Sequence, residues 1–453
     1  MKTKFLISII LLLFFFFAEI IFSYSNIKGD SQENPVEMDV IPISHRLVNE
    51  ISDYSQTESL DQSIANFLIN NRINGASVAI AHEGKLVYAK GFGYANIEEE
   101  SPVEPKHMFR IASVSKLITG VAVMKLFEEG KLSLDDKVFG ENGLLNDSMY
   151  LNIKDESVKD ITVHHLLVHT AGWSRKKGDP VFMPLSVARY LKVEPPVDET
   201  HLIQYTLQQK LDYKPGKRYS YSNLGYIVLG KVIEKISGMP YEDYVKFALL
   251  EPLGIYDMRI GKNFANEKFS NEVSYYDKST NADVYSFNGS GEIVPQAYGG
   301  NNIELLGAAG GWIASAVELM KFMVAIDGFN EKADILKPET IKLMTDISLN
   351  GSTLIGWKGT DGHGNWWRTG TLSGTTALIL RQRNNINWVM LLNTTTKRRS
   401  RIHSDMSRLM FTSVSGVSEW PSEDLFNFYE PQVFHAQVTA QKGKTRALLD
   451  NLN

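Results

Sequence analysis

The stretch "FRIASVSKLITGVAVMKLFEEG", Phe109 to Gly130, sets Ser113, Ser115 and Lys116 into a largely apolar run. Leu117, Ile118, Val121, Val123, Met124, Leu126 and Phe127 surround the helix this run predicts instead of striping it, which is the pattern of a helix buried on all sides. Ser113 and Lys116 are three positions apart, so they share a helix face about one turn from each other. A lysine at the start of a buried helix is desolvated, which lowers its pKa and makes it a base for a neighbouring hydroxyl. Ser115 points elsewhere. The alternative is a helix cap by Ser113 or Ser115 with Lys116 reaching solvent. Spacing alone does not decide, because Ser174-Arg175-Lys176-Lys177 repeats it in a loop.

Outward from this helix, the two ends of the chain predict strands and the middle predicts helices. Leu60, Ile64, Phe67 and Leu68 have helical spacing up to Asn71. "GASVAIAHEGKLVYAKGFGYAN" (75–96) predicts a hairpin, with runs Ala76–Ala81 and Lys85–Phe92 around a His82-Glu83-Gly84 turn. Strands return over Trp366–Leu380 and Asn387–Thr394, and an amphipathic helix follows over Arg401–Ser413. The expected class is α+β: one sheet built from both ends, with a helical region, about 113–300, inserted between its parts. An active site would then lie where sheet and helical region meet.

The 453 residues are 43% hydrophobic with a net charge of −5, which supports a packed core and argues against a nucleic-acid partner. A small-molecule or peptide substrate is expected. With no cysteine there is no disulfide, thiol nucleophile or Cys-based metal site. "MKTKFLISIILLLFFFFAEIIFSYS" (1–25) has the layout of an export signal, or of an uncleaved membrane anchor. The expected organisation is this leader, a linker at 26–44, a domain at 45–415 and an appendix of unknown role at 416–453. The protein is therefore expected to be secreted or periplasmic, or membrane-anchored.

Two further motifs bear on the serine. "KPGKRYSYSNLGYIVLG" places Tyr221-Ser222-Asn223 after a Pro215-Gly216 turn and before a helix from about Leu224 to Ile236, closed by Gly238. The tyrosine offers a phenolic oxygen and the asparagine an amide for a substrate carbonyl, although Ser222 or Asn223 also suits a helix cap. "WWRTGTLSGTTALIL" carries Arg368-Thr369-Gly370 in a β-rich run, where a cation and a hydroxyl can hold a carboxylate and glycine permits close backbone approach.

Taken in order, Ser113-x-x-Lys116, Tyr221-x-Asn223 and Arg368-Thr369-Gly370 resemble the motifs of the β-lactamase-related serine hydrolases, in the branch with class C β-lactamases, D-alanyl-D-alanine carboxypeptidases, D-aminopeptidases and esterases. "ITVHHLLVHTAGW" (161–173) and "GAAGGWIASAVELMKFM" (307–323) are similar to further segments of that family. The resemblance spans about Gly75 to Met410. It implies a β-lactamase/transpeptidase-like fold, an antiparallel sheet with a helical subdomain, and no cofactor. It also implies that Ser113 is the acylated nucleophile, Lys116 its base or relay, Tyr221 the partner of Lys116, and Asn223 the binder of the substrate amide. The backbone N–H groups of Ser113 and Thr371 would form the oxyanion hole. One departure stands out: Arg368 occupies a position where the family has Lys or His. Arginine keeps its charge and can grip a carboxylate with two hydrogen bonds, but cannot relay a proton.

His165 and His169 have zinc-binding spacing, but Leu166 stands where a zinc protease needs Glu, so no metal is expected. A small ester, amide or D-amino-acid peptide is the expected substrate. The alternatives are true β-lactam hydrolysis and a non-catalytic cell-wall or peptide binder.

Overall fold

The computed structural model describes residues 41–428, except 177, 280–282, 352 and 398–400. The leader or anchor expected at 1–25 and nearly all of the linker at 26–44 lie outside the described residues, as does the end of the appendix, 429–453.

Strands buried along their whole length need cover on both faces, and here they have it. Helix α1 (Glu58–Asn71) leads into strands β1 (Gly75–His82), β2 (Lys85–Asn96) and the short β3 (Ser101–Pro102). Near the other end follow β4 (Gly359–Thr360), β5 (Trp366–Leu372), β6 (Thr375–Gln382) and β7 (Ile386–Leu392). They form one antiparallel sheet in the order β4-β5-β6-β7-β1-β2-β3. The two chain ends join at β1–β7, with Ala79 opposite Val389. Every residue of β6 and β7 is buried. One face packs Val78, Ile80, Trp388 and Met390 against Leu60 and Ile64 of α1 and against Met406 and Met410 of α5 (Ile402–Ser415). The other face packs Ala79, Ile379, Val389 and Leu391 into the core of the helical region.

Helix α2 (Ser115–Glu128) runs through that region with 11 of its 14 residues buried. At about 1.5–3 kcal/mol for each fully buried large aliphatic side chain, it is a principal source of core stability. It packs against α3 (Asn223–Ser237) and α4 (Ile303–Gly310).

Two expectations change in detail. The predicted strand Trp366–Leu380 is a hairpin, because Ser373-Gly374 makes a turn with Gly374 at φ 77°. The helix predicted from Ser113 begins as a 3-10 turn, Ala112–Val114, before α2 starts at Ser115. The packed chain also runs past both ends of the 45–415 span. Ile43 is buried, and Leu425 is buried beside Asp424, which accepts the Leu86 N–H of β2 (3.0 Å).

Candidate active site

The three motifs converge between β5, the start of α2 and the start of α3. Ala112, just before the serine, is held at φ 49°, a left-handed conformation that costs a non-glycine residue on the order of 1–2 kcal/mol. Its neighbours fix it there: Thr375 Oγ1 donates to the Arg110 carbonyl (2.7 Å), and Arg368 Nε donates to the Ser113 carbonyl (2.7 Å). Gly370 lies flat against this turn. A Cβ on it would stand 2.1 Å from the Ile111 carbonyl oxygen, so only glycine fits.

Ser113 Oγ is 2.7 Å from the Tyr221 hydroxyl and 3.4 Å from Lys116 Nζ. Lys116 is fully buried, and its amine donates to Asn223 Oδ1 (2.7 Å) and to the Ala309 carbonyl. Burial pushes the Lys116 amine down to about 8; Tyr221 opposes this and Arg368 adds to it. Burial pushes the Tyr221 phenol up, but the charges of Lys116 and Arg368 outweigh it and bring the phenol down to about 8. A hydroxyl beside a lysine and a tyrosine that are both brought down to about 8 is in a setting that can activate a nucleophile.

Ser222 caps α3 by accepting the Gly225 N–H (3.1 Å), which leaves Asn223 to the site. Its Oδ1 is committed to Lys116, and its Nδ2 donates to Asp179 (2.7 Å). An amide nitrogen carries two hydrogens, so one can still reach a substrate carbonyl. Arg175 lies over the Tyr221 ring, its guanidinium 4.8 Å from the centroid, and 4.0 Å from the Asp179 carboxylate.

The alternation of β5 divides the third motif. Arg368 and Gly370 are buried toward Ser113, while Thr369 and Thr371 face the other way. The expectation that Arg368 grips a substrate carboxylate is corrected by its position: it is 2% exposed, its Nε is committed to Ser113, and its Nη2 lies 3.4 Å from the Tyr221 hydroxyl. It acts as a buried cation beside the tyrosine. Thr369 Oγ1 instead accepts from Lys358 Nζ (3.1 Å) at the sheet edge. Thr371, expected to lend its N–H to the oxyanion hole, directs that N–H to the open edge of the sheet. The Trp367 carbonyl accepts from the Lys358 N–H across the β4 edge (2.9 Å), and a period of two turns the Thr371 N–H to that same edge, beyond where β4 pairs.

Ser115 is a core group, its hydroxyl accepting the Trp312 N–H (3.2 Å). Ser174 donates to Asp212 (2.5 Å) in its loop. His165 closes a capping box with Thr162. His169 packs its ring 4.6 Å from that of Tyr221, and its Nδ1 accepts the Ser222 N–H (3.3 Å). Burial and then the nearby cations hold it well below the usual histidine range, so it stays neutral and braces the tyrosine. The sequence did not single out Ala309, Asp179, Arg175 or Lys358. The first acts through a backbone carbonyl, which no side-chain motif records, and the others stand in loops or at strand ends with no periodicity.

An antiparallel sheet joined from both chain ends, with a Ser-Lys-Tyr cluster where it meets an inserted helical region, defines a β-lactamase-fold hydrolase. The beta-lactamase family model matches residues 60–409, and the chain belongs to that family. The protein flp of Staphylococcus aureus (strain NCTC 8325 / PS 47) is 31% identical over 196 residues, 43% of this chain and 36% of that protein. The chain thus spans little more than a third of that relative's length. Among solved structures, the octameric penicillin-binding protein homologue from Pyrococcus abyssi aligns with a TM-score of 0.58 and 27% identity, over 78% of this chain and 77% of that one. D-amino acid amidase from Ochrobactrum anthropi SV3, complexed with D-phenylalanine, aligns with a TM-score of 0.62 and 18% identity, over 81% of this chain and 100% of that one, a likeness of fold.

Proposed function

We propose that the protein is an exported serine hydrolase that acts through an acyl-Ser113 intermediate on an ester, amide or D-amino-acid peptide. The observation that carries this is the 2.7 Å contact of Ser113 Oγ with Tyr221, beside a fully buried lysine. The apolar run behind two lysines at the N-terminus supports export.

In the first half-reaction Ser113 Oγ attacks the substrate carbonyl carbon and its proton passes to Tyr221, or to Lys116 through it. The oxyanion is held by the N–H groups of Ser113 and Thr371. The bond to the leaving group breaks as that group takes the proton and departs as an alcohol or amine. In the second half-reaction water adds to the acyl-Ser113 ester, its proton is returned to the serine oxygen, and a carboxylic acid leaves. Asn223 holds the substrate amide. The carboxylate-binding role expected of Arg368 passes to Thr369 and Lys358 at the edge of the site.

A serine-reactive fluorophosphonate probe tests this directly. Wild-type protein becomes labelled and Ser113→Ala does not; labelling that survives Ser113→Ala removes Ser113 as nucleophile. Turnover of nitrocefin, D-Ala-D-Ala peptides, D-amino-acid amides and p-nitrophenyl esters then separates the substrate classes.

A further inference from the structure

Beyond Thr371 the sheet edge opens into a cleft of about 820 Å³. Its floor is the end of β5, Thr371 to Ser373, together with Phe287, which is 4% exposed and stacked on Phe264 with ring centroids 5.8 Å apart. It is also lined by the segment from Phe182 to Ser186, by Val284 and Tyr285 of the hairpin that Asp283–Tyr285 forms with Ile293–Pro295, and by the polar Gln296 and Asn301. At its rim Phe182 is 44% and Tyr285 67% exposed. Large apolar side chains held open to solvent in a concave site mark a surface made to be covered.

The position of the cleft tells which part of a substrate enters it. The proton donor to a leaving group is Tyr221, and the cations beside it, Arg368 and Lys358, stand at the 368 end of β5. The cleft begins at Thr371, whose N–H faces the carbonyl, and continues through Leu372 and Ser373 away from that end. Strand residues rise about 3.3 Å each, so the two ends are separated by roughly 13 Å, one on either side of the reacting carbonyl. The leaving group lies on the cationic side and the acyl group on the side of the cleft, where Phe182, Val284, Tyr285 and Phe287 offer apolar contact beside polar groups such as Gln296 and Asn301.

We propose that this cleft is the acyl-group subsite and that it takes an extended aliphatic or aryl acyl chain, not the single methyl of an alanyl group. This rests on the acyl-transfer reading above, and it narrows the substrate class to esters or amides of medium-chain or aromatic acids. An alanyl methyl would touch little of the space between Phe182, Val284, Tyr285 and Phe287. Each additional buried methylene should raise kcat/KM about threefold to fourfold until the cleft is filled.

The test is a series of p-nitrophenyl acetate, butyrate, hexanoate and octanoate on the full chain, with Phe182→Ser and Tyr285→Ser as variants, since both rim residues are exposed and their replacement spares the core. The octanoate-to-acetate ratio of kcat/KM, taken within each protein, should exceed 100 in the wild type and fall at least tenfold in the double variant. A flat series in the wild type, or a slope unchanged in the double variant, overturns the proposal. Isothermal titration of octanoate into Ser113→Ala reads the cleft without the chemistry. Binding that weakens at least fivefold when Phe182→Ser and Tyr285→Ser are added supports the cleft even if labelling experiments remove Ser113 as nucleophile. Absence of octanoate binding overturns the cleft and leaves the nucleophile untouched.

Discussion

Ser113 Oγ stands 2.7 Å from the Tyr221 hydroxyl but 3.4 Å from the amine of Lys116, its own helical neighbour. The closer partner of the serine therefore comes from a segment 108 residues away, and the lysine that completes the sequence motif is set one step behind it. Lys116 is anchored by Asn223 and Ala309, so in the proposed reaction its amine would charge and hold the site while Tyr221 meets the serine directly.

Tyr221→Phe should therefore be nearly as damaging as loss of the lysine. It keeps the ring that packs on His169 and removes only the oxygen that faces the serine. The rate of fluorophosphonate labelling should fall about 100-fold to 10,000-fold, with little change in thermal unfolding. A variant that labels at the wild-type rate would move the base role back to Lys116.

The pH dependence follows from the same cluster. The proposed acylation needs the lysine–tyrosine pair to have lost one proton, and both groups are brought down to about 8, so the labelling rate should rise with pH and level off above that value. The titration belongs to the pair, not to either residue. Arg368 lowers both groups, so Arg368→Gln should move this limb to higher pH. Asp179 raises Lys116, so Asp179→Asn should move it to lower pH. Opposite displacements in the two variants, measured as labelling rate against pH, would tie the limb to this cluster; displacements in the same direction would assign it elsewhere.

Gly370→Ala tests the close approach of β5 to the serine turn. The added Cβ would meet the Ile111 carbonyl oxygen at 2.1 Å and the Ser113 nitrogen at 3.1 Å, both backbone atoms. Relief requires the strand and the Ala112 turn to separate, which moves the oxyanion site as well. The expected result is about 1–3 kcal/mol of lost stability in denaturant unfolding and a labelling rate lowered at least tenfold. Retained labelling would mean that the turn does not depend on this contact.

The sequence carried the architecture where pattern and period are strong. The β1–β2 hairpin, α2 with apolar residues all round, and the amphipathic α1 and α5 were each legible from spacing, because burial on one or both faces dictates residue type directly. The hairpin within Trp366–Leu380 was less visible, since Ser373 and Gly374 sit inside an otherwise unbroken β-rich run and only the left-handed glycine marks the turn. Of the site, Ser113, Lys116, Tyr221 and Asn223 could be gathered from motif order. The direction in which Arg368 points could not, because a strand arginine can face the core or the edge, and the choice depends on which face of β5 meets the serine turn. Asp179 and Lys358 reach the site from irregular segments, so their proximity is a product of the tertiary fold alone.

The last expectation concerns Lys358. Arg368 is enclosed, whereas the Lys358 amine reaches Thr369 at the accessible edge. Burial and then the Arg368 charge lower the Lys358 amine from its usual value, which places it within electrostatic reach of the site. A substrate carboxylate on the leaving-group side would meet this lysine and the Thr369 hydroxyl together. A charge-assisted hydrogen bond contributes about 1.5–3 kcal/mol. Lys358→Gln should therefore lower the kcat/KM ratio between a carboxylate-bearing substrate and its neutral amide by roughly 10-fold to 100-fold. Lys358→Arg should retain most of it. The wild-type ratio should also fall with added salt, because this edge is open to solvent. A ratio that is insensitive to both Lys358→Gln and salt would mean that the site does not read a carboxylate through this edge.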